Sequence, residues 1–341
     1  MKQVVIRSAG EVGYEDAPLP EPGPGEVRIK PSVVGICGSD LHALAGEHPF
    51  IPLPCSPGHE VSGVISALGP GVTELELGSR VLLEPNIVCG ECEYCRSGRY
   101  NLCENLVVVG CQGPGAMAEE LVVPASRLHK VPEAMTDAAA ALVEPMATAV
   151  HALRVARDVP GGRVVVLGAG SIGLLMLLAA RAAGASRVVV SEPRPAKRER
   201  ALRLGASAVF DPGDPALVPK VRNELGGHAD VVLDCVSVQA SMSQAIAMAE
   251  KGGAVIVVGV PAADVNIPLA IVQDREIRLE GSAMYTRVDM QRAIELVGAP
   301  GFPLHELVTA TLPFDKAPEA FDLAASGDQV KVQLVVNEMG K

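Results

Sequence analysis

Cys37, Ser39 and His42 lie close together in the run Gly35-Ile36-Cys37-Gly38-Ser39-Asp40-Leu41-His42, and Gly58-His59-Glu60 follows about twenty residues later. Taken singly, each has a bland reading. A free cysteine is among the most commonly buried residues, a lone histidine is more often packed or at the surface, and Ser39, near the start of a short helix over Asp40 to Ala45, is placed to be its N-cap. Together they point to metal chemistry. A thiolate and an imidazole that converge in space suit Zn²⁺, which takes sulfur, nitrogen and carboxylate oxygen at four tetrahedral positions and keeps one open where it is catalytic. Glu60, beside His59, is placed to serve behind the ligands or to exchange with water as one.

Cys89, Cys92, Cys95 and Cys103 form a C-x2-C-x2-C-x7-C run in a loop that also carries Gly90 and Gly98. Such spacing wraps a loop around one tetrahedral zinc with every position filled by sulfur, a closed structural site. Two disulfides, in any of three pairings, are the alternative, disfavoured in a reducing compartment; an iron-sulfur cluster is another. Cys55, Cys111 and Cys235 are left as packing residues. Glu144 ends the apolar run Ala139 to Val143 just before Pro145. A carboxylate buried there needs a partner, and a metal is one; an exposed glutamate before a proline break is the other reading.

Near residue 150 the pattern changes. Arg163-Val164-Val165-Val166-Leu167 reads as a buried parallel strand, and Gly168-Ala169-Gly170-Ser171-Ile172-Gly173 follows it directly, opening a helix. The glycines serve a tight turn, close approach to a pyrophosphate and helix–strand packing, with the phosphate charge on the helix N-terminus. A second strand, Arg187 to Ser191, ends at an acid, Glu192, about 20 residues on, which is the context that gives the motif its meaning. Glu192 can accept from both ribose hydroxyls of NAD and repel the 2′-phosphate of NADP, while Arg194 could accommodate that phosphate. Lys197 is placed near the ribose. Strands over Asp230 to Asp234 and Ala254 to Val258 continue the βα alternation, and Val236 and Val258, at their ends, are expected to border the cofactor.

The remaining features bound the answer. A chain of 341 residues exceeds one usual core. The 48% hydrophobic content, without tryptophan, must build its core from Val, Ala, Leu and Ile, as α/β proteins do. A formal charge of −11 disfavours nucleic acid and anionic membranes as partners. Val164 to Ala180 is uncharged, but its glycines fall where a strand turns into a helix, so it is not expected to span a membrane. The first residues are too polar for a secretory segment, and a cytoplasmic protein is expected. Beyond about residue 277 the chain returns to its first domain, with a strand over Gly281 to Tyr285, a helix over Met290 to Val297 and a last strand over Lys331 to Val336.

Gly35 to His42, Gly58-His59-Glu60 with Gly63, Gly69 and Val72, the four-cysteine loop, Glu144-Pro145 and Gly168 to Gly173 together resemble the zinc-dependent medium-chain alcohol dehydrogenases along essentially the whole chain. Glu144 in place of a cysteine is similar to their polyol and threonine dehydrogenase branch. The resemblance implies an α/β plus β protein, in which a GroES-like catalytic domain (1–148 and 278–341) carries an inserted Rossmann domain (149–277). It also implies two Zn²⁺ per chain, NAD as cofactor and a homotetramer. Cys37, His59 and Glu144 would hold the catalytic zinc, which lowers the pKa of a bound alcohol. Hydride would pass to NAD⁺, and the proton would leave through Ser39, the cofactor ribose and His42. The substrate would be a secondary alcohol, vicinal diol or polyol, converted to a ketone. Sorbitol dehydrogenases usually carry a tyrosine and an arginine where Ala43 and Met284 stand here, with Tyr285 retained, so the resemblance implies an apolar pocket that favours small diols. A threonine 3-dehydrogenase-like activity lacks an evident basic residue for the substrate carboxylate. A non-catalytic NAD-binding protein would have no use for ligand, hydroxyl and imidazole together.

Overall fold

The computed structural model describes residues 1–157 and 159–337. Two compact units divide the chain, Met1–Glu144 with Thr286–Lys341, and Pro145–Tyr285. The divisions expected from the sequence, at 148/149 and 277/278, differ from these by four and eight residues.

The first unit is built on a mostly antiparallel sheet. Its strands run in the order Val308–Pro313, Lys331–Val335, Glu26–Gly35, Glu60–Leu68, Arg80–Leu83 and Leu128–Lys130, with Leu121–Pro124 on the early part of Glu26–Gly35. Strand alternation sets the faces: Val27 and Ile29 are buried among Val61, Ile65, Val81 and Leu83, while Lys30 points out. Pro31, which cannot donate to a ladder, coincides with a register shift. Opposite it, a Cβ on Gly63 would lie 2.4 Å from the Lys30 carbonyl. The bulge and the glycine let this long strand continue to Gly35 and deliver the next residues to the site.

The second unit is a six-stranded parallel sheet in the order Ala208–Phe210, Arg187–Ser191, Arg163–Leu167, Ala229–Asp234, Ala249–Val257 and Arg278–Gly281. Its central strands are continuous Val and Leu runs, as burial on both faces requires. Strand order reverses beside Arg163–Leu167, which is where open α/β sheets bind ligands. The strand expected over Gly281 to Tyr285 in the first domain is not formed. Arg278–Gly281 pairs instead with Ala254–Val257 and forms the edge strand of the parallel sheet. Among the described residues no helix is long and apolar enough to cross a membrane.

Candidate active site

The strand Glu26–Gly35 passes through Ile36 into a helix over Gly38–Leu44, with Cys37 at the N-cap. The Cys37 amide donates to Asp40 Oδ2 at 2.8 Å, so the third helical residue closes the cap, and Ser39, expected there, is half-buried within the first turn. Its hydroxyl is thereby spared the capping role. Glu60 opens its own strand directly opposite Gly35. A Cβ on Gly35 would sit 1.9 Å from Glu60 Oε2, so only glycine admits that carboxylate. The ligand atoms of Cys37, His59 and Glu60 all lie within 4.8 Å of one another.

Three buried polar atoms of this cluster, Asp40 Oδ1, His59 Nδ1 and Glu60 Oε2, have no hydrogen-bond partner. Unpaired buried groups are costly, and a sulfur, a nitrogen and an oxygen converging beside them are the donor set of zinc. The residues present therefore fit the ion. Glu60 Oε1 accepts from Lys331 Nζ at 2.5 Å, and the same ammonium donates to the Ile36 carbonyl at 3.0 Å. Lys331 is only 2% exposed. Burial favours its neutral amine, but Glu60, Cys37 and Glu144 outweigh burial and raise its pKa. His59 behaves likewise: burial opposes its charged form, yet Asp40 and the thiols of Cys111 and Cys37 raise it well above the ordinary imidazole value. A metal there must displace that proton.

Around residues 89–105 the ligand atoms of Cys89, Cys92, Cys95 and Cys103 again lie within 4.8 Å of one another. Sulfur separations of 3.5 and 3.9 Å are contacts, not bonds, which leaves the disulfide alternative without support. Backbone amides aim at the sulfurs: Cys89 N at Cys103 Sγ (3.3 Å), Cys92 N at Cys89 Sγ (3.4 Å) and Asn105 N at Cys103 Sγ (3.4 Å). The amides of Glu104 and Cys95 pull the Cys92 thiol down to about 6. A loop that stabilises thiolates in a tetrahedral set fits a closed zinc site.

In the second unit Gly168 takes φ +94° directly after the strand, and a Cβ on Gly173 would lie 1.9 Å from the Gly168 carbonyl. Gly170 is the N-cap of the helix Ser171–Ala182 and faces open space. Glu192 is buried; its Oε2 accepts from Ala169 N and its Oε1 from Arg194 N, both at 2.9 Å. Val236 is 43% exposed, with Cγ2 2.9 Å from the Cβ position of Gly168. Val258, whose amide donates to Asp234, follows the next strand end, and Lys197 lies half-buried in the helix Pro195–Arg203.

The alcohol dehydrogenase GroES-like domain family matches residues 23–133, and the zinc-binding dehydrogenase family matches residues 171–299. D-xylulose reductase A of Aspergillus niger is 34% identical over 339 residues, covering 96% of this chain and 94% of the relative. The chain belongs to the zinc-dependent medium-chain alcohol dehydrogenases. Among solved structures, 2R,3R-butanediol dehydrogenase from Bacillus subtilis is similar to this dehydrogenase at 30% identity and a TM-score of 0.91, covering 98% of this chain and 99% of that one. A zinc-binding-dehydrogenase-like protein of Sinorhizobium meliloti 1021, solved bound to NADP, reaches 33% identity and a TM-score of 0.91, with coverage of 98% and 99%.

Several residues of the dehydrogenase lie elsewhere than the sequence suggested. Glu144 is buried in the first turn of the helix Val143–Ala156, near enough to influence Lys331, but it is outside the three-donor set; the strand register brings Glu60 there instead. Ala43, 2% exposed, shares the buried face of its helix with Asp40 and packs into the core. Tyr285 is fully buried, and Met284 is half-buried at φ +52°. Neither Ala43 nor Tyr285 offers surface to a substrate. His42 is exposed at the last turn of its short helix. Lys331 was the residue that sequence reasoning missed. Its signal was a lysine opening a strand whose next three residues are buried.

Proposed function

We propose that this dehydrogenase oxidises a secondary hydroxyl of a vicinal diol or polyol to the ketone, with NAD⁺ as hydride acceptor and two zinc ions per chain. The observation that carries the reading is the trio of a half-buried Cys37 with the buried His59 and Glu60, whose ligand atoms all lie within 4.8 Å of one another. Zinc bound by these residues supplies Lewis acidity toward the substrate oxygen, and NAD⁺ takes up the hydride. Cys37 and His59 anchor that site, and the carboxylate of Asp40, 3.8 Å from His59 Nδ1 and too far to hydrogen-bond with it, places negative charge beside the imidazole. Lys331 holds one oxygen of Glu60 and offsets the negative charge of the ligands. The Ser39 hydroxyl, which makes no cap, receives the alcohol proton, and His42 passes it to water. Cys89, Cys92, Cys95 and Cys103 hold the second ion.

Gly168, Gly170, Ser171, Ile172 and Gly173 cradle the cofactor's phosphates, Val236 and Val258 border it, and Glu192 with Lys197 meets the ribose. A carboxylate about 4 Å from a 2′-phosphate would oppose it by about 4 kcal/mol at an effective dielectric near 20, hence NAD⁺. The relative bound to NADP favours testing the other reading. The similar enzymes are named for xylulose and butanediol, which supports polyols and diols over threonine. The reading extends to a homotetramer in the cytoplasm, the first of which light scattering tests. Initial rates of NADH and NADPH formation with xylitol, 2,3-butanediol, sorbitol and threonine test the rest. Turnover of a diol or polyol with NAD⁺ is expected; turnover of threonine alone would overturn the substrate class, and better efficiency with NADP⁺ would overturn the cofactor.

A further inference from the structure

We propose that Glu192 is a positioning residue for the whole phosphate-binding turn, pinning Gly168–Gly173 to the start of the next helix, so that it governs the grip on the cofactor's phosphates and not only its ribose. The inference rests on the reading above that this turn receives a dinucleotide. It adds a second role for the acid.

Both carboxylate oxygens are committed inside the protein. Oε2 accepts from the Ala169 amide and Oε1 from the Arg194 amide, each at 2.9 Å, and the residue is 6% exposed. Ala169 lies between Gly168, at φ +94°, and Gly170, the N-cap of the following helix. Its amide is therefore turned back toward Glu192, while the amides of Ser171, Ile172 and Gly173, the first of the helix, have no intrahelical acceptor and are the ones able to meet phosphate. The backbone of Glu192 is fixed as well. Its amide donates to the Phe210 carbonyl at 3.0 Å. Its carbonyl accepts from the Arg198 guanidinium at 2.7 Å, which also reaches the Pro193 carbonyl (2.7 Å) and Asp211 Oδ2 (3.2 Å).

The turn has no slack to absorb the loss of this pin. The Gly168 carbonyl fills the space where a Gly173 side chain would begin, so a shift at Ala169 moves the helix start with it. A carboxylate has about four acceptor sites, so two remain for ribose hydroxyls, and the two roles coexist. Removing the carboxylate strands a buried amide in the turn, and hydrogen bonds to charged groups are the stronger kind. An affinity loss of about tenfold or more is expected even for a ligand whose adenosine ribose has no hydroxyls to offer.

The test measures equilibrium binding to the intact enzyme by dihydronicotinamide fluorescence. The ligands are NADH and an NADH analogue carrying 2′,3′-dideoxyadenosine; the proteins are wild type, Glu192→Ala and Glu192→Gln. Wild type that binds neither ligand would sink the cofactor reading itself. Given wild-type binding, the expected result is that Glu192→Ala weakens NADH and the dideoxy analogue alike, and that hydrogen exchange at the Ala169 amide accelerates without any ligand present. Should Glu192→Ala fail to fold, Glu192→Gln, nearly equal in volume and keeping one acceptor, carries the same comparison. Unchanged affinity for the analogue, with loss confined to NADH, would show that Glu192 acts through the ribose alone and overturn the proposal.

Discussion

Replacing Lys331 with Met would remove the ammonium bonded to Glu60 while keeping nearly the length of the side chain. In the zinc-free protein the change strands Glu60 Oε1 and the Ile36 carbonyl, which now accept from Nζ at 2.5 and 3.0 Å. Breaking a buried ion pair from one side typically costs about 3–5 kcal/mol, so the unfolding constant of the first unit should rise by roughly a hundredfold to several thousandfold. Three of the four tyrosines, Tyr14, Tyr94 and Tyr100, lie in that unit, and their fluorescence in a urea titration reports it. Added zinc should then recover more stability in the variant than in wild type, because the stranded carboxylate gains a cation and the site has lost a competing positive charge. Lys331→Arg, which keeps the charge, should fall between. A zinc-free Lys331→Met protein within about 1 kcal/mol of wild type, or a loss that zinc leaves untouched, would refute the idea that Lys331 counterbalances this ligand set.

Metal analysis of the purified protein should give two zinc ions per chain, and Cys92→Ser should lose one of them along with thermal stability while the other is retained; a single ion in wild type would contradict the assignment. Glu60→Gln should lower zinc occupancy more than Glu144→Gln does, since Glu60 stands in the donor set; the reverse order in metal content would return Glu144 to it. Zinc binding at the Cys37 site should tighten as pH rises. His59 has a raised pKa in the zinc-free fold, so the stability its proton contributes is complete below the ordinary imidazole value near 6.5 and is lost as pH climbs through the raised value. Zinc must displace that proton. Competition with a chelator of known affinity across pH 6 to 9 checks the slope, and a flat profile would show that His59 does not carry the displaced proton.

Much of the architecture was legible because its signals are local. The Val runs before and after Gly168 reveal a parallel sheet, and the strand order bears this out. The four cysteines lie within about fifteen residues, so spacing alone brings their sulfurs together. The strand placed at Gly281 to Tyr285 was displaced for a nonlocal reason. Whether Arg278–Gly281 or the residues after it form the strand is decided by which register lets them pair with Ala254–Val257, and no short-range pattern encodes that.

The third donor proposed for the catalytic site was harder to find for a related reason. Glu144 and Glu60 are both carboxylates among apolar neighbours, and burial alone gives each the same need for a partner. What separates them is the alignment of three strands far apart in sequence: Glu60 faces Gly35, Gly35 faces Gln333, and Lys331 opens that same last strand. The register requires Gly35 to lack a side chain, and it delivers an ammonium to the Glu60 oxygen that does not face Gly35. Applied evenly, the argument that a buried charge needs a partner would have flagged Lys331 as readily as Glu144. A glutamate beside a histidine ligand, a glycine at the preceding strand end and an unexplained lysine in a buried last strand are three halves of unmatched pairs, and the sheet joins them into one site.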